Sequence, residues 1–165
     1  MLIILSVLTI LVTLLLFLVF FILKQIQHLY ELYYSSGGLQ LPVKISELDL
    51  QDDSYLPEKG PYILLFVDIF CPACQRLLKQ IEKQEIFSQI PQIILLNNNE
   101  DEIQRYAKEN QLHLTFYSLS DRDRDVYKVN VEPFIYVINN KNTIFEKRAI
   151  SSAKQIIEIY ERVKS

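Results

Sequence analysis

The chain has 165 residues, with 17 Lys and Arg against 20 Asp and Glu and a formal net charge of −3. That length admits one modest domain plus attachments. The near-neutral, well-mixed charge excludes the basic stripe of a nucleic-acid binder and the acidic block of a disordered tail.

In chain order, Leu2–Leu23 comes first and contains no charged residue; its only polar side chains are Ser6, Thr9 and Thr13. At about 1.5 Å rise per residue such a run can cross a hydrocarbon core of about 30 Å. A secretory signal peptide has a basic start and a shorter apolar stretch. Here no Lys or Arg precedes the run, and the small residues Ser35-Ser36-Gly37-Gly38 lie well past its end. Residues 1–23 are therefore expected to be an uncleaved transmembrane anchor, with cleavage as the alternative. Lys24 is the sole basic residue beside the span, which by the positive-inside rule leans towards a cytoplasmic domain.

Residues 24–59 read as a stalk and lead-in: helix formers to Tyr34, a break at Ser35–Gly38, then an irregular stretch between Pro42 and Pro61. Residues 60–165 read as the domain. Ile63–Val67 is a short apolar run suited to a strand buried on both faces. Cys74, Leu77, Leu78 and Ile81 follow at the i, i+3, i+4, i+7 spacing of an amphipathic helix. Ile93–Leu96 is a second buried strand. Asn99 and Glu102 form a capping-box pattern ahead of a helix burying Ile103, Tyr106 and Ala107. Alternation at Leu112, Leu114 and Phe116 predicts a half-buried strand, and residues 122–129 a short helix. Phe134–Ile138 is another core strand. Asn139-Asn140-Lys141-Asn142 is a turn whose asparagines tolerate left-handed backbone angles. Thr143–Arg148 should return as an antiparallel edge strand, and Ser151 or Ser152 should cap a last helix burying Ala153, Ile156, Ile157 and Tyr160. The pattern predicts an α/β fold, a central mixed sheet flanked by helices.

Both cysteines, Cys71 and Cys74, sit where the first buried strand hands over to the first helix. Pro72 suits the first helical position, where an N–H would be unsatisfied anyway. Cys71 then becomes the N-cap, its sulfur beside free backbone N–H groups and the positive end of the helix dipole, a placement that stabilises a thiolate. Cys74, one turn on, falls on the apolar stripe. One exposed thiol backed by one buried thiol suits thiol–disulfide exchange, in which Cys71 attacks a substrate disulfide and Cys74 resolves the mixed disulfide. Two plainer readings compete. A zinc site needs about four ligands, and neither His28 nor His113 has ligand-like spacing to the pair. A purely structural pair is disfavoured by the position of Cys71 at a helix start. No metal and no cofactor are expected.

Two segments, GPYILLFVDIFCPACQRLL and VYKVNVEPFIYVINNKNTI, resemble the strand–CxxC–helix opening and the later proline-bearing segment of the thioredoxin superfamily, and the resemblance covers Gly60 to Val163. It implies a cis peptide bond before Pro133, which would let residue 132 pair with an extended peptide beside Cys71. The lead-in LQLPVKISELDL and the anchor look like the membrane-tethered branch that includes TlpA-like proteins and the accessory protein for methylamine dehydrogenase maturation. Departures follow from the same alignment. Leu65 stands where the superfamily keeps a buried acid that helps deprotonate the resolving thiol. Asp68 does not match that position; it lies near the site or is a solvated strand-end residue. Phe70 replaces the usual tryptophan as an aromatic edge to the site. Lys147-Arg148-Ala149 occupies a region where relatives often keep a glycine, which would reshape the groove. Glu132 replaces a small or β-branched residue. A carboxylate there would oppose thiolate formation on Cys71 and favour substrates with a basic residue beside the disulfide; the alternative is a side chain turned into solvent. Phe70, Pro72, Glu132 and Pro133 are the residues expected to meet the substrate.

The expectation is a membrane-anchored thiol–disulfide oxidoreductase acting on protein disulfides or dithiols, with a redox recycling partner and no nucleic acid. Because disulfides persist outside the cytoplasmic membrane, the redox domain is expected to be extracytoplasmic despite Lys24. The alternative is a non-catalytic binding or maturation-accessory module whose groove around Pro133 holds a client.

Overall fold

The computed structural model describes the backbone of residues 2–35 and 37–164, and the side chains of residues 10–26, 29 and 37–163. It divides into two units, Met1–Ser36 and Gly37–Ser165. The first is the helix α1, Leu2–Ser35. Its described large apolar side chains from Ile10 to Leu23 are all exposed. At the start of the expected anchor, Met1 and the side chains of residues 2–9 lie outside the described residues, as does the side chain of His28. Among the described residues, no helix is long and apolar enough to cross a membrane.

The second unit contains β1 (Val43–Lys44), β2 (Tyr62–Val67), α2 (Pro72–Glu82), β3 (Gln92–Leu96), α3 (Glu100–Asn110), β4 (Phe116–Ser118), α4 (Asp121–Tyr127), β5 (Phe134–Ile138), β6 (Thr143–Ala149) and α5 (Ala153–Lys164). The six strands form one mixed sheet in the order β1-β6-β5-β2-β3-β4. β2, β3 and β4 run parallel, joined through α2 and α3, while β5 joins β2 and β6 joins β5 antiparallel.

The uninterrupted apolar run of β2 is explained by this central place: all six of its residues are buried. Its alternate side chains feed two cores. Ile63, Leu65 and Val67 pack on one face with Cys74, Leu77, Leu78 and Ile81 of α2, Ile103 of α3 and Ile156 and Ile159 of α5. Tyr62, Leu64 and Phe66 face the other core, with Tyr127 of α4, Phe134 and Tyr136 of β5, and Leu39 and Ile45 from the lead-in.

Residues 37–59, read from the sequence as lead-in, thus fold with the domain. β1 pairs with Thr143 and Ile144, so the first part of β6 is covered rather than being a free edge. Gly38 has a φ of +83°, and a Cβ there would collide with the Tyr136 hydroxyl, so only glycine fits. The Tyr136 hydroxyl accepts the Leu39 N–H at 2.8 Å and donates to the Tyr127 carbonyl at 2.6 Å, while Gly38 N–H reaches the Lys128 carbonyl at 3.1 Å.

Three local expectations change. The strand predicted from Leu112 begins only at Phe116. Leu112 N–H instead bonds the Ala107 carbonyl at 2.9 Å, closing α3 after left-handed Gln111, and His113 N–H goes to Glu82 at 3.0 Å, so neither is available to the sheet. The short helix starts at Asp121 and stops at Tyr127, capped by the Ser120 hydroxyl and ended by left-handed Lys128. Neither Ser151 nor Ser152 caps α5 through its hydroxyl. The Gln155 carboxamide oxygen takes the Ser151 and Ser152 N–H groups at 2.8 and 3.3 Å, and Gln80 of α2 takes Ala153 N–H at 3.0 Å. The Asn99/Glu102 capping box and the left-handed asparagine, Asn142, form as expected.

Candidate functional site

The carboxyl ends of the parallel strands β2 and β3 meet the amino terminus of α2, the usual place for a site in an open α/β sheet. The loop between β2 and α2 is short and strongly held. Asp68 Oδ1 accepts Phe70 N–H at 2.6 Å, and the Asp68 carbonyl accepts Cys71 N–H at 3.2 Å. Asn98, just beyond β3, accepts Ile69 N–H at 3.3 Å, and Gln75 of α2 donates to the Ile69 carbonyl at 2.7 Å. Asp68 thus shapes the turn that follows β2.

Cys71 is the N-cap of α2, with Pro72 in the first helical turn. Its sulfur accepts Cys74 N–H at 3.4 Å and donates to the Glu132 carbonyl at 3.7 Å. Both cysteines are free thiols. Cys74 is fully buried, and burial pushes its thiol pKa far above its ordinary value; a backbone hydrogen bond from Asp68 opposes this and Glu132 adds to it. The two sulfurs therefore have unlike environments, one at a partly open helix terminus and one inside the core.

The peptide bond between Glu132 and Pro133 is cis. Pro133 leads directly into β5, and its carbonyl accepts Ile150 N–H at 3.1 Å, while Ala149 pairs with Phe134. Lys147 to Ala149, placed in doubt by the missing glycine, are ordinary members of β6. Phe70 is 70 % exposed beside Cys71, an apolar surface offered to solvent. Leu65 is fully buried in the sheet between Ile94 and Ile135, so the place of the acid is apolar in fact.

Glu132 does not turn into solvent. Its side chain is 11 % exposed and meets Arg124 of α4 at 3.5 Å. Burial raises its carboxyl pKa, Arg124 pulls it back down, and Asp68 raises it. With its charge already met by Arg124, this carboxylate is less of a lure for a basic substrate residue than the sequence suggested. Arg124, Asn98 and Gln75 escaped the sequence reading. Only Asn98 carried a usable signal, as an early polar residue after a buried parallel strand. His113 lies away from the pair, bonded to Glu82 at the opposite end of α2 at 2.8 Å.

No protein-family model matches the chain, and no curated protein matches its sequence. Among solved structures it is similar to a thiol:disulfide interchange protein of the thioredoxin family from Chlorobium tepidum TLS, at 13 % identity over 64 % of this chain and 81 % of that one, with a TM-score of 0.55. A thioredoxin-like protein solved in its oxidised form matches at 18 % identity over 68 % and 84 %, with a TM-score of 0.52. A thiol:disulfide interchange protein from Bacteroides sp. matches at 14 % identity over 65 % and 75 %, with a TM-score of 0.50. Strand order, the cysteine pair at the head of α2 and these likenesses together give the domain a thioredoxin-like fold.

Proposed function

We propose that this protein is a membrane-anchored thiol–disulfide oxidoreductase that exchanges disulfides with extracytoplasmic protein substrates through Cys71 and Cys74. The observation that carries the reading is the asymmetry of the pair: Cys71 Sγ caps α2 and accepts Cys74 N–H at 3.4 Å, while Cys74 is sealed in the core. Cys71, partly open at the helix start, is the attacking sulfur, and its buried partner one turn away resolves. The exposed Phe70, the N1 proline Pro72 and the Glu132–Pro133 backbone surround Cys71 and would receive an extended substrate strand. Two of the structural neighbours are themselves described as thiol:disulfide interchange proteins, which favours the same chemistry here.

The anchor is supported by the uncharged run Leu2–Leu23 and by the exposure of the described apolar side chains on every side of α1, a surface that lipid or an apolar partner would cover. The extracytoplasmic placement rests on where disulfides persist, and a redox partner in or at the membrane would recycle the pair. The test is disulfide reduction in an insulin assay with the full chain in detergent. Activity is expected to vanish in Cys71→Ser, and Cys74→Ser should accumulate a covalent mixed disulfide with substrate. Full activity in Cys71→Ser, or inactivity of the wild type, would leave a client-binding module as the better reading. Protease access to the domain in intact cells checks the orientation; a protected domain would place it inside.

A further inference from the structure

The backbone carbonyl of Glu132 faces Cys71, and the peptide that carries it is held in place. The Glu132 side chain is nearly buried against Arg124 at 3.5 Å. One residue on, the Pro133 carbonyl accepts Ile150 N–H at 3.1 Å, and Phe134 is already paired with Ala149 in the sheet. The sulfur is fixed as well: Cys71 N–H bonds the Asp68 carbonyl at 3.2 Å, and Cys71 Sγ accepts Cys74 N–H at 3.4 Å. The contact of 3.7 Å in which Cys71 Sγ donates to the Glu132 carbonyl therefore joins two placed groups. Among the described residues this carbonyl meets no other donor.

That donor is a proton which the chemistry of the pair removes. In the dithiol, Cys71 carries it. In a Cys71–Cys74 disulfide, and in a mixed disulfide with substrate, the sulfur has no proton and the carbonyl loses its partner. A backbone acceptor left in that state takes another donor. An extended peptide seated beside Cys71 presents its own backbone N–H groups, which are stronger donors than a thiol. Thiol and peptide thus compete for one oxygen, and the redox state of Cys71 decides which can have it.

We propose that Cys71 S–H occupies the Glu132 carbonyl in the dithiol and vacates it in the disulfide, so that the oxidised protein holds a substrate strand more tightly than the reduced one and takes dithiol-bearing polypeptides as its substrates. This rests on the exchange reading above. A grip that is firm before the reaction and weak after it serves oxidation of the substrate. A substrate thiolate attacks Cys71 Sγ of the disulfide, the bond to Cys74 breaks, and Cys74 leaves with the electron pair and takes up a proton. The second substrate thiolate attacks the substrate sulfur of the mixed disulfide, so the substrate disulfide forms and Cys71 leaves. The Cys71 sulfur takes a proton from water and donates it to the Glu132 carbonyl, displacing the substrate N–H. The substrate has given up two electrons and two protons, the cysteine pair has gained both, and the event that ends the reaction also loosens the product.

The test measures binding of the full chain in detergent to an insulin B chain whose cysteines are both replaced by serine, labelled with fluorescein at its amino terminus and followed by anisotropy. This peptide cannot exchange, so affinity alone is read. Affinity should be about 2- to 12-fold higher for the protein oxidised to the Cys71–Cys74 disulfide than for the reduced protein, the span of one neutral hydrogen bond. Reduced Cys71→Ala, which removes the donor without closing a bridge, should bind like the oxidised wild type. Reduced Cys74→Ala, which keeps the donor, should bind like the reduced wild type. Equal affinity in the two redox states, or Cys71→Ala binding no better than the reduced wild type, overturns the proposal while exchange in the insulin assay stands. Absence of peptide binding by a protein that reduces insulin overturns it in the same way. Inactivity of the wild type in the insulin assay overturns the exchange reading and this inference with it.

Discussion

Cys74 is described by two facts that act in the same direction. It is fully buried, and burial pushes its thiol up. Its sulfur is therefore both inaccessible and protonated at neutral pH, whereas Cys71 is only partly covered at the tip of α2. Brief alkylation of the reduced protein with iodoacetamide, read by peptide mass mapping, should label Cys71 at least about tenfold faster than Cys74, since each pH unit of upward shift removes about tenfold of the thiolate. Equal labelling would remove the asymmetry on which the mechanism depends. Leu65 gives a second residue-scale prediction. It sits between Ile94 and Ile135 with no polar partner. Leu65→Asp, which restores an acid at the position where the thioredoxin superfamily keeps one, should still lower stability by several kcal/mol because the carboxyl has nothing here to bond. A urea midpoint unchanged from wild type would show a polar environment the structure does not contain.

The helix ends show which elements the sequence could reveal. Asn99 and Glu102 are three residues apart and cap α3 through their own backbone, so the signal and the structure are the same local event. Asn99→Ala should destabilise the protein by about 1 kcal/mol, measured by urea unfolding. The amino terminus of α5 is different. Its N–H groups are met by Gln155 from within the helix and by Gln80 from α2, a contact across 73 positions. Gln80→Ala should therefore loosen the α2–α5 contact, raising amide exchange at Ala153 above that of the helix interior, and unaltered exchange there would deny the tie. The same distinction explains the site. Cys71, Pro72 and Cys74 are neighbours in sequence and their geometry follows from one helix start. Pro133 came with a recurring segment. Arg124 reaches Glu132 only because α4 and the start of β5 come together in the fold, and nothing in the run around residue 124 announces that. The strand expected at Leu112 was misplaced for the converse reason: alternation was present, but the N–H groups of 112 and 113 were taken by α3 and by Glu82.

At the scale of the Gly37–Ser165 unit the sheet separates two cores of unlike chemistry. The face carrying α2 is largely aliphatic and holds the cysteines. The other is aromatic: Phe66, Tyr127, Phe134 and Tyr136 meet edge to face or tilted, with ring centroids 5.0 to 6.2 Å apart. Burial raises the phenols of Tyr55, Tyr62 and Tyr136 from 10.0 to about 12, and that of Tyr127 further. The sign of the linkage is fixed by these directions. Between pH 10 and 12 the unfolded chain has lost phenolic protons that the folded chain retains, so this stabilisation is fully present below pH 10 and is lost as pH rises through the folded values. Tyrosinate absorbance from the buried residues should therefore appear together with loss of circular dichroism, after the exposed tyrosines have titrated. Complete tyrosine ionisation with an intact dichroism spectrum would contradict this core. Tyr136 links it to the lead-in through Leu39 N–H and the Tyr127 carbonyl. Tyr136→Phe keeps the ring and removes that hydrogen-bonding bridge, leaving Leu39 N–H unsatisfied at an expense of about 1–3 kcal/mol. Proteolysis should then cut first within residues 39–56, because these are held by the aromatic face and not by α2. The Cys71–Cys74 couple should keep its reduction potential, since both cysteines pack against the aliphatic core on the opposite face of β2.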